Sequence, residues 1–246
     1  MTLNSNVSIT WLGHSTLILE SPAGNRIIID PFILSNPSCP DAWKNEGNLG
    51  KLEAMLITHI HEDHIGDVEM VIRSNPLIQV VGMPEVITRV SPYGASNVQP
   101  MNKGGTINIL DLMITMTDAN HSSSYPNADN ENMLDYGGEP AGFILKFNNG
   151  FTIYVAGDTG IFGDMALIGK LYHPDLAILP IGDRFTMGPF QAAHAVQLLG
   201  VSQVLPYHYG TFGLLTGTPE AFRKEMATLG LENVVLHSLQ PGDTLN

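Results

Sequence analysis

Three imidazoles and a carboxylate crowd the run Thr58-His59-Ile60-His61-Glu62-Asp63-His64-Ile65-Gly66-Asp67. In an extended stretch residues i and i+2 project to one side, so His59 and His61 can share one cation. Asp63 and His64 fall where helical spacing begins and can reach a second. Imidazole and carboxylate suit zinc, manganese, iron or nickel, and no thiolate narrows the choice. The plainer reading of the run is a histidine-rich surface turn. Three further residues weigh against it. His121 follows the apolar stretch Met113–Thr117 and precedes Ser122-Ser123-Ser124. Asp158 ends Tyr154-Val155-Ala156-Gly157, where the glycine lets the backbone come close to a site. His208 ends Val204-Leu205-Pro206-Tyr207. Alone, each is an ordinary structural or solvated residue. Together they complete seven ligands for two cations, with Asp158 bridging.

The elements that must carry these side chains are short β runs broken by turn signals. Val7–Trp11, Thr16–Glu20, Arg26–Ile29, Ala54–Ile57 and Ile78–Val81 read as strands, as do Gly142–Phe147, Phe151–Ala156, Leu176–Leu179, Val204–Leu205 and Val234–Leu236. Thr106–Thr117 reads as a hairpin or bent pair. Helical patterns cover Ile65–Arg73, Glu85–Val90, Asp164–Leu171, Phe190–Leu199 and Pro219–Leu229. A strand-turn-strand-aspartate unit ending at Asp30 recurs with Asp158, which predicts two similar β-rich halves packed face to face. Pro31–Gly50 and Ser122–Pro140 are long, polar and predicted to be irregular active-site loops. Tyr125 and Tyr136, the large side chains of the second loop, are expected to line a substrate pocket.

Composition bounds the rest. The chain has 246 residues, 43% apolar and 14% charged, which excludes a disordered chain. Residues 1–246 are expected to form one domain. The single cysteine, Cys39, excludes an internal disulfide and a thiolate-built zinc site. Eleven Lys and Arg against 24 Asp and Glu give a net charge of −13, which argues against nucleic acid and against a polybasic membrane contact. No apolar run is long enough to span a bilayer. No signal peptide is recognisable, so a cytoplasmic protein is expected. The low charged fraction is compatible with an apolar interface in a homo-oligomer.

The ordered motifs Trp11-Leu12-Gly13-His14-Ser15-Thr16, Ile29-Asp30-Pro31-Phe32, His59–His64, His121-Ser122-Ser123, Ala156-Gly157-Asp158-Thr159, Pro180-Ile181-Gly182-Asp183, Thr186-Met187-Gly188-Pro189 and His208-Tyr209-Gly210-Thr211-Phe212 span nearly the whole chain. They resemble the metallo-β-lactamase superfamily. The likeness is strongest to its branch of bacterial metal-dependent hydrolases near ascorbate-6-phosphate lactonase and N-acyl-phosphatidylethanolamine phospholipase D. The resemblance implies an α+β fold, the αββα sandwich, with helices on the outer faces and metals at one edge between the sheets. It implies His59, His61 and His121 on one ion, Asp63, His64 and His208 on the other, and Asp158 shared. It places His14 near the metal rim, where it binds a substrate oxygen, donates a proton, or simply packs beneath the ligands. Asp30 is expected to lie under the metals and orient a ligand. Asp183 contacts substrate or pairs locally with Arg184. His173, His194 and His237 are expected to be structural, Cys39 inert, and the methionines core filling.

The expected activity is hydrolysis by two divalent cations, zinc foremost. They lower the pKa of a shared water so that hydroxide exists near neutral pH, and Asp63 orients it. An ester or lactone of a small molecule is the first substrate class. Small phosphodiesters or phospholipid-like molecules are the second. From other classes, a non-catalytic metal-binding protein needs a defective ligand set, which is not seen. A diiron redox protein is disfavoured by His61, an acid in the flavodiiron branch, and by the lack of a flavin-binding segment. No G-x-S-x-G elbow is present, and Cys39 has no base beside it.

Overall fold

The computed structural model describes every residue except Met1, Thr2, Asn4 and Glu131. Its strands are β1 (Ser8–Trp11), β2 (Leu17–Glu20), β3 (Arg26–Ile29), β4 (Ala54–Leu56), β5 (Gln79–Gly82), β6 (Asn97–Pro100), β7 (Thr106–Ile109), β8 (Leu112–Asp118), β9 (Ser124–Pro126), β10 (Leu134–Tyr136), β11 (Ala141–Phe147), β12 (Thr152–Val155), β13 (Leu176–Pro180), β14 (Gln203–Tyr207), β15 (Val235–Leu236) and β16 (Thr244–Leu245). The helices are α1 (Glu62–Ile65), α2 (Val68–Ser74), α3 (Pro84–Val90), α4 (Met165–Tyr172), α5 (Pro189–Leu199) and α6 (Pro219–Thr228).

Two seven-stranded sheets form, in the orders β16-β1-β2-β3-β4-β5-β6 and β7-β8-β11-β12-β13-β14-β15. From its first-named strand, each sheet makes three antiparallel pairings and then three parallel ones. The predicted repetition is therefore real. The hairpin β2–β3 leads to Asp30, and its counterpart β11–β12 leads to Asp158.

Strand periodicity explains the layers. Phe143, Leu145, Phe147, Ile153, Val155, Leu176 and Ile178 point one way and join a cluster that includes the first sheet and residues of α2 and α3. The alternate residues Ile144, Tyr154, Ala156, Ala177 and Leu179 point the other way and pack with α4, α5 and α6. Both faces of the second sheet are buried, so β12 and β13 read as continuous apolar runs. The result is the αββα sandwich.

Several local expectations need correction. Ser122–Pro140 is not irregular throughout, because β9 and β10 pair antiparallel with Tyr125 opposite Asp135. Its polar residues close the hairpin: the Asn127 side-chain amide donates to both Asp135 carboxylate oxygens at 2.9 and 3.0 Å. The Ile65–Arg73 pattern is divided between α1 and α2. The edge strands β6 and β16 carry no alternation strong enough to announce them. Pro100 is tolerated in β6 because that strand lies at a sheet edge. Asp67 stands at the N-cap of α2 but makes no side-chain cap hydrogen bond there. Its carboxylate accepts the backbone N–H groups of Ile33 and Leu34 and fixes the start of the Pro31 loop.

Candidate metal centre

Each predicted ligand follows the carboxyl end of a strand or opens α1. The chain leaves β4 through Ile57 and Thr58 to His59. His61 caps the short helix that holds Asp63 and His64. His121 follows β8, Asp158 follows β12, and His208 follows β14. The two sheets meet beneath them. Ala141 N–H donates to the Thr58 carbonyl at 3.0 Å, and His208 N–H to the His14 carbonyl at 3.0 Å. At Gly157 (φ +66°) a Cβ would lie 2.5 Å from the Ala141 carbonyl oxygen, so only glycine allows this approach. His14, Asp30 and His208 all adopt left-handed backbone, at φ 54°, 48° and 56°. For non-glycine residues this costs roughly 1–3 kcal/mol each, which the surrounding contacts must offset.

The side chains converge in three overlapping groups: His59, His61 and His121; His14, Asp63, His64 and His208; and His59, His64 and Asp158. Within each group the ligand atoms lie within 4.8 Å of one another. Asp158 Oδ2 is 3.1 Å from His208 Nε2, 3.4 Å from His64 Nε2 and 3.7 Å from His121 Nε2. It thus reaches both the His121 side and the His208 side of the cluster. His59 Nε2 lies 2.9 Å from His61 Nδ1.

Asp30, fully buried, fixes the imidazoles from below. It accepts from the Thr58 backbone N–H and hydroxyl at 2.8 and 2.6 Å, and its Oδ2 lies 2.8 Å from His64 Nδ1. Thr58 Oγ1 is in turn 3.1 Å from His59 Nδ1. With its proton given to Asp30, this hydroxyl accepts from His59. The network therefore assigns Nδ1–H to both histidines and turns both Nε2 atoms toward the cluster.

Four buried atoms here have no hydrogen-bond partner: His64 Nε2, Asp158 Oδ1, and both ring nitrogens of His208. Orphaned buried donors and acceptors are costly, and native interiors rarely keep them. A cation-binding role explains most of them at once. Neutral imidazole and ionised carboxylate are also the forms that bind metal. Burial, first, with the neighbouring imidazoles pushes the His59 and His61 pKa values down. Burial resists ionisation of Asp158, but His208 and His64 outweigh it and hold its carboxyl well below the usual range. The residues present fit divalent cations.

His14 is buried, and both its ring nitrogens are engaged. Nε2 is 2.8 Å from Asp63 Oδ2, and Nδ1 is 3.0 Å from Thr211 Oγ1. Burial, then the adjacent His208, lowers its pKa to about 4. A neutral His14 donates from Nε2 to Asp63 and accepts from the Thr211 hydroxyl at Nδ1. Burial works against the Asp63 charge as well, yet the His14 bond and the nearby imidazoles keep its carboxyl well below the usual range.

The cluster opens into a cavity of about 690 Å³. Its walls include Ile60, Ile65, Tyr125, Phe185, Phe212 and Leu215, with Arg89 beside Tyr125. Tyr125 lies in the wall of this cavity. Tyr136 does not: it is 67% exposed and lines a neighbouring cleft. Asp183 is also exposed and lies outside the cavity wall. It sits in a left-handed turn, where its carboxylate accepts the Arg184 backbone N–H at 2.8 Å. His173 ends α4, His194 meets Phe190 edge-to-face, and His237 is buried against Gln203. Cys39 is buried, and burial pushes its thiol up to about 11. Sequence reasoning missed Arg89 and Phe185, because no motif marks an arginine on α3 or a phenylalanine in a turn. Phe212 fell within the motif His208-Tyr209-Gly210-Thr211-Phe212, without an assigned role.

A model of the beta-lactamase superfamily domain matches residues 25–209. A UPF0173 metal-dependent hydrolase of Rubrobacter xylanophilus is 48% identical over 237 residues, covering 96% of this chain and 95% of the relative. One from Koribacter versatilis is 44% identical, with 97% of each chain covered. The solved structure of Igni18, a metallo hydrolase from Ignicoccus hospitalis, superposes with a TM-score of 0.83 at 33% identity, covering 97% of both chains. With its sandwich, its convergent histidines and aspartates, and these relatives, the chain belongs to the metallo-β-lactamase superfamily, among its metal-dependent hydrolases.

Proposed function

We propose that the protein is a dinuclear hydrolase that cleaves an ester or lactone of a small molecule. The observation that carries this reading is Asp158, within reach of both halves of the ligand cluster at the floor of an apolar-walled cavity. His59, His61 and His121 would hold one cation, and Asp63, His64 and His208 the other. Zinc suits this thiolate-free set first, and manganese, iron and nickel also fit. Divalent ions bound there supply Lewis acidity and make a water acidic enough to ionise near neutral pH.

The chain's own residues do the rest. Asp30 and Thr58 hold the ligand imidazoles in the correct tautomer. Thr211 orients His14, and His14 keeps Asp63 ionised and fixed in rotation. Asp63, held ionised in this way, accepts a hydrogen bond from the attacking water and orients it. Apolar walls exclude bulk water and favour an apolar acyl or alcohol group. The likeness of the sequence motifs to the lactonase favours ester and lactone chemistry, as that to the phospholipase favours phosphodiesters, and the apolar cavity walls weigh toward the first.

The test is metal analysis followed by a panel of lactones, esters, thioesters and phosphodiesters. Near two ions per chain, with ester or lactone turnover abolished by chelation, is expected. One ion at saturation would overturn the dinuclear reading. Cleavage of phosphodiesters alone would replace the ester reading.

A further inference from the structure

Arg89 lies on α3, its guanidinium carbon 5.2 Å from the centroid of the Tyr125 ring in the cavity wall. An arginine carries five N–H donors. Here the hydrogen bond to a protein partner is a long one, from Nη1 to the Tyr93 hydroxyl at 3.4 Å. Nε is buried and unpartnered. Among the described residues no carboxylate forms an ion pair with this guanidinium, although acids outnumber bases 24 to 11 in the chain. Arg89 is also the single Lys or Arg lining the cavity.

Stacking on Tyr125 does not account for this. A cation over an aromatic face gains roughly 0.5–2 kcal/mol and satisfies no N–H donor. A partly buried cation without a counter-charge is costly, and a bidentate oxyanion relieves that cost best. The carboxylates that also line the cavity are no substitute: Asp63 and Asp158 belong to the metal cluster, and Glu62 is not paired with Arg89.

We propose that Arg89 is the anion receptor of the cavity, and that the substrate carries a carboxylate or phosphate at the end remote from its scissile bond. This rests on the cavity being the substrate site of the hydrolase. The apolar residues Ile60, Ile65 and Tyr125 share that cavity, so the substrate has an apolar body, an anion at one end and the ester or lactone at the other.

The experiment is calorimetric titration of the metal-loaded protein, which needs no turnover. The probes are dicarboxylates from succinate to suberate, monocarboxylates of equal chain length, and phosphonocarboxylates for the phosphate arm. At one length the dicarboxylate should bind about tenfold or more tightly than its monocarboxylate, the scale of one charge-assisted contact. Arg89→Ala should erase that advantage and leave monocarboxylate affinity within about twofold. Arg89→Gln, which keeps a polar side chain on α3 without the charge, should do the same. A tighter phosphonate would assign the anion as phosphate, and a tighter dicarboxylate as carboxylate. The proposal is overturned if no chain length shows the advantage, or if the advantage survives in Arg89→Gln. An inert ester panel with the anion preference intact would instead sink the ester chemistry alone.

Discussion

At the scale of single residues, the ligands and the groups beneath them make separable contributions. His61 caps a short helix at the rim, half-buried and outside the apolar core. His61→Ala should therefore cost several orders of magnitude in turnover at saturating metal, while the thermal midpoint of the metal-free protein stays near its original value. Full turnover in that variant would remove His61 from the ligand set. Asp30 touches no cation position, yet it controls both His64 and, through Thr58, His59. Asp30→Asn keeps the volume and loses the charge that fixes their tautomers. Metal affinity should fall by about 10–100-fold, measured by competition with a chromogenic chelator. Unchanged affinity would show that the tautomers are set elsewhere.

At the scale of elements, the hairpin β9–β10 separates two uses of one loop. Tyr125 on β9 faces the main cavity, whereas Tyr136 on β10 is exposed beside a different cleft. Shortening the chain between Pro126 and Asp135 should change relative rates across the substrate panel and leave metal content unaltered. Identical Michaelis constants for every substrate would make the hairpin a surface ornament. Much of this scale was legible in the sequence. The strands that carry ligands are apolar runs that stop abruptly at His59, Asp158 and His208, so both their existence and their chemistry could be read. The edges were harder. Strands β6 and β16 owe their form to a neighbouring strand, and pairing across the molecule leaves no local pattern. The hairpin was hidden for the opposite reason: Asn127 and Asp135 carry loop chemistry, but use it to bind each other. Arg89 was invisible because its significance is the acid it lacks, a fact of three-dimensional neighbourhood.

At the scale of the whole molecule, the buried imidazoles should govern how the metal-free protein responds to acid. Burial, first, lowers the folded-state pKa of His14 to about 4 and depresses those of His59, His61 and His121. In the unfolded chain these groups return to about 6.5. Between those values the unfolded state binds more protons, so stability rises with pH and is lost as pH falls. His64 has the opposite sign. Although burial opposes its charge, Asp158 and Asp30 raise its pKa, so its contribution is complete below 6.5 and fades only at higher pH. Asp63 and Asp158, both depressed, withdraw their contributions only below the ordinary carboxylate range. The melting temperature of chelator-stripped protein should therefore fall steadily from pH 6.5 toward pH 4. A flat profile in scanning fluorimetry would contradict the buried neutral state of these histidines.

The origin of the ligands carries one more consequence. His59, His61, Asp63 and His64 come from the sheet that holds β4, and His121, Asp158 and His208 from the sheet that holds β8, β12 and β14. Bound ions would therefore act as a clasp, because neither sheet presents the full set by itself. Ion retention becomes a record of correct assembly: a chain whose halves meet out of register has nowhere to keep its metal.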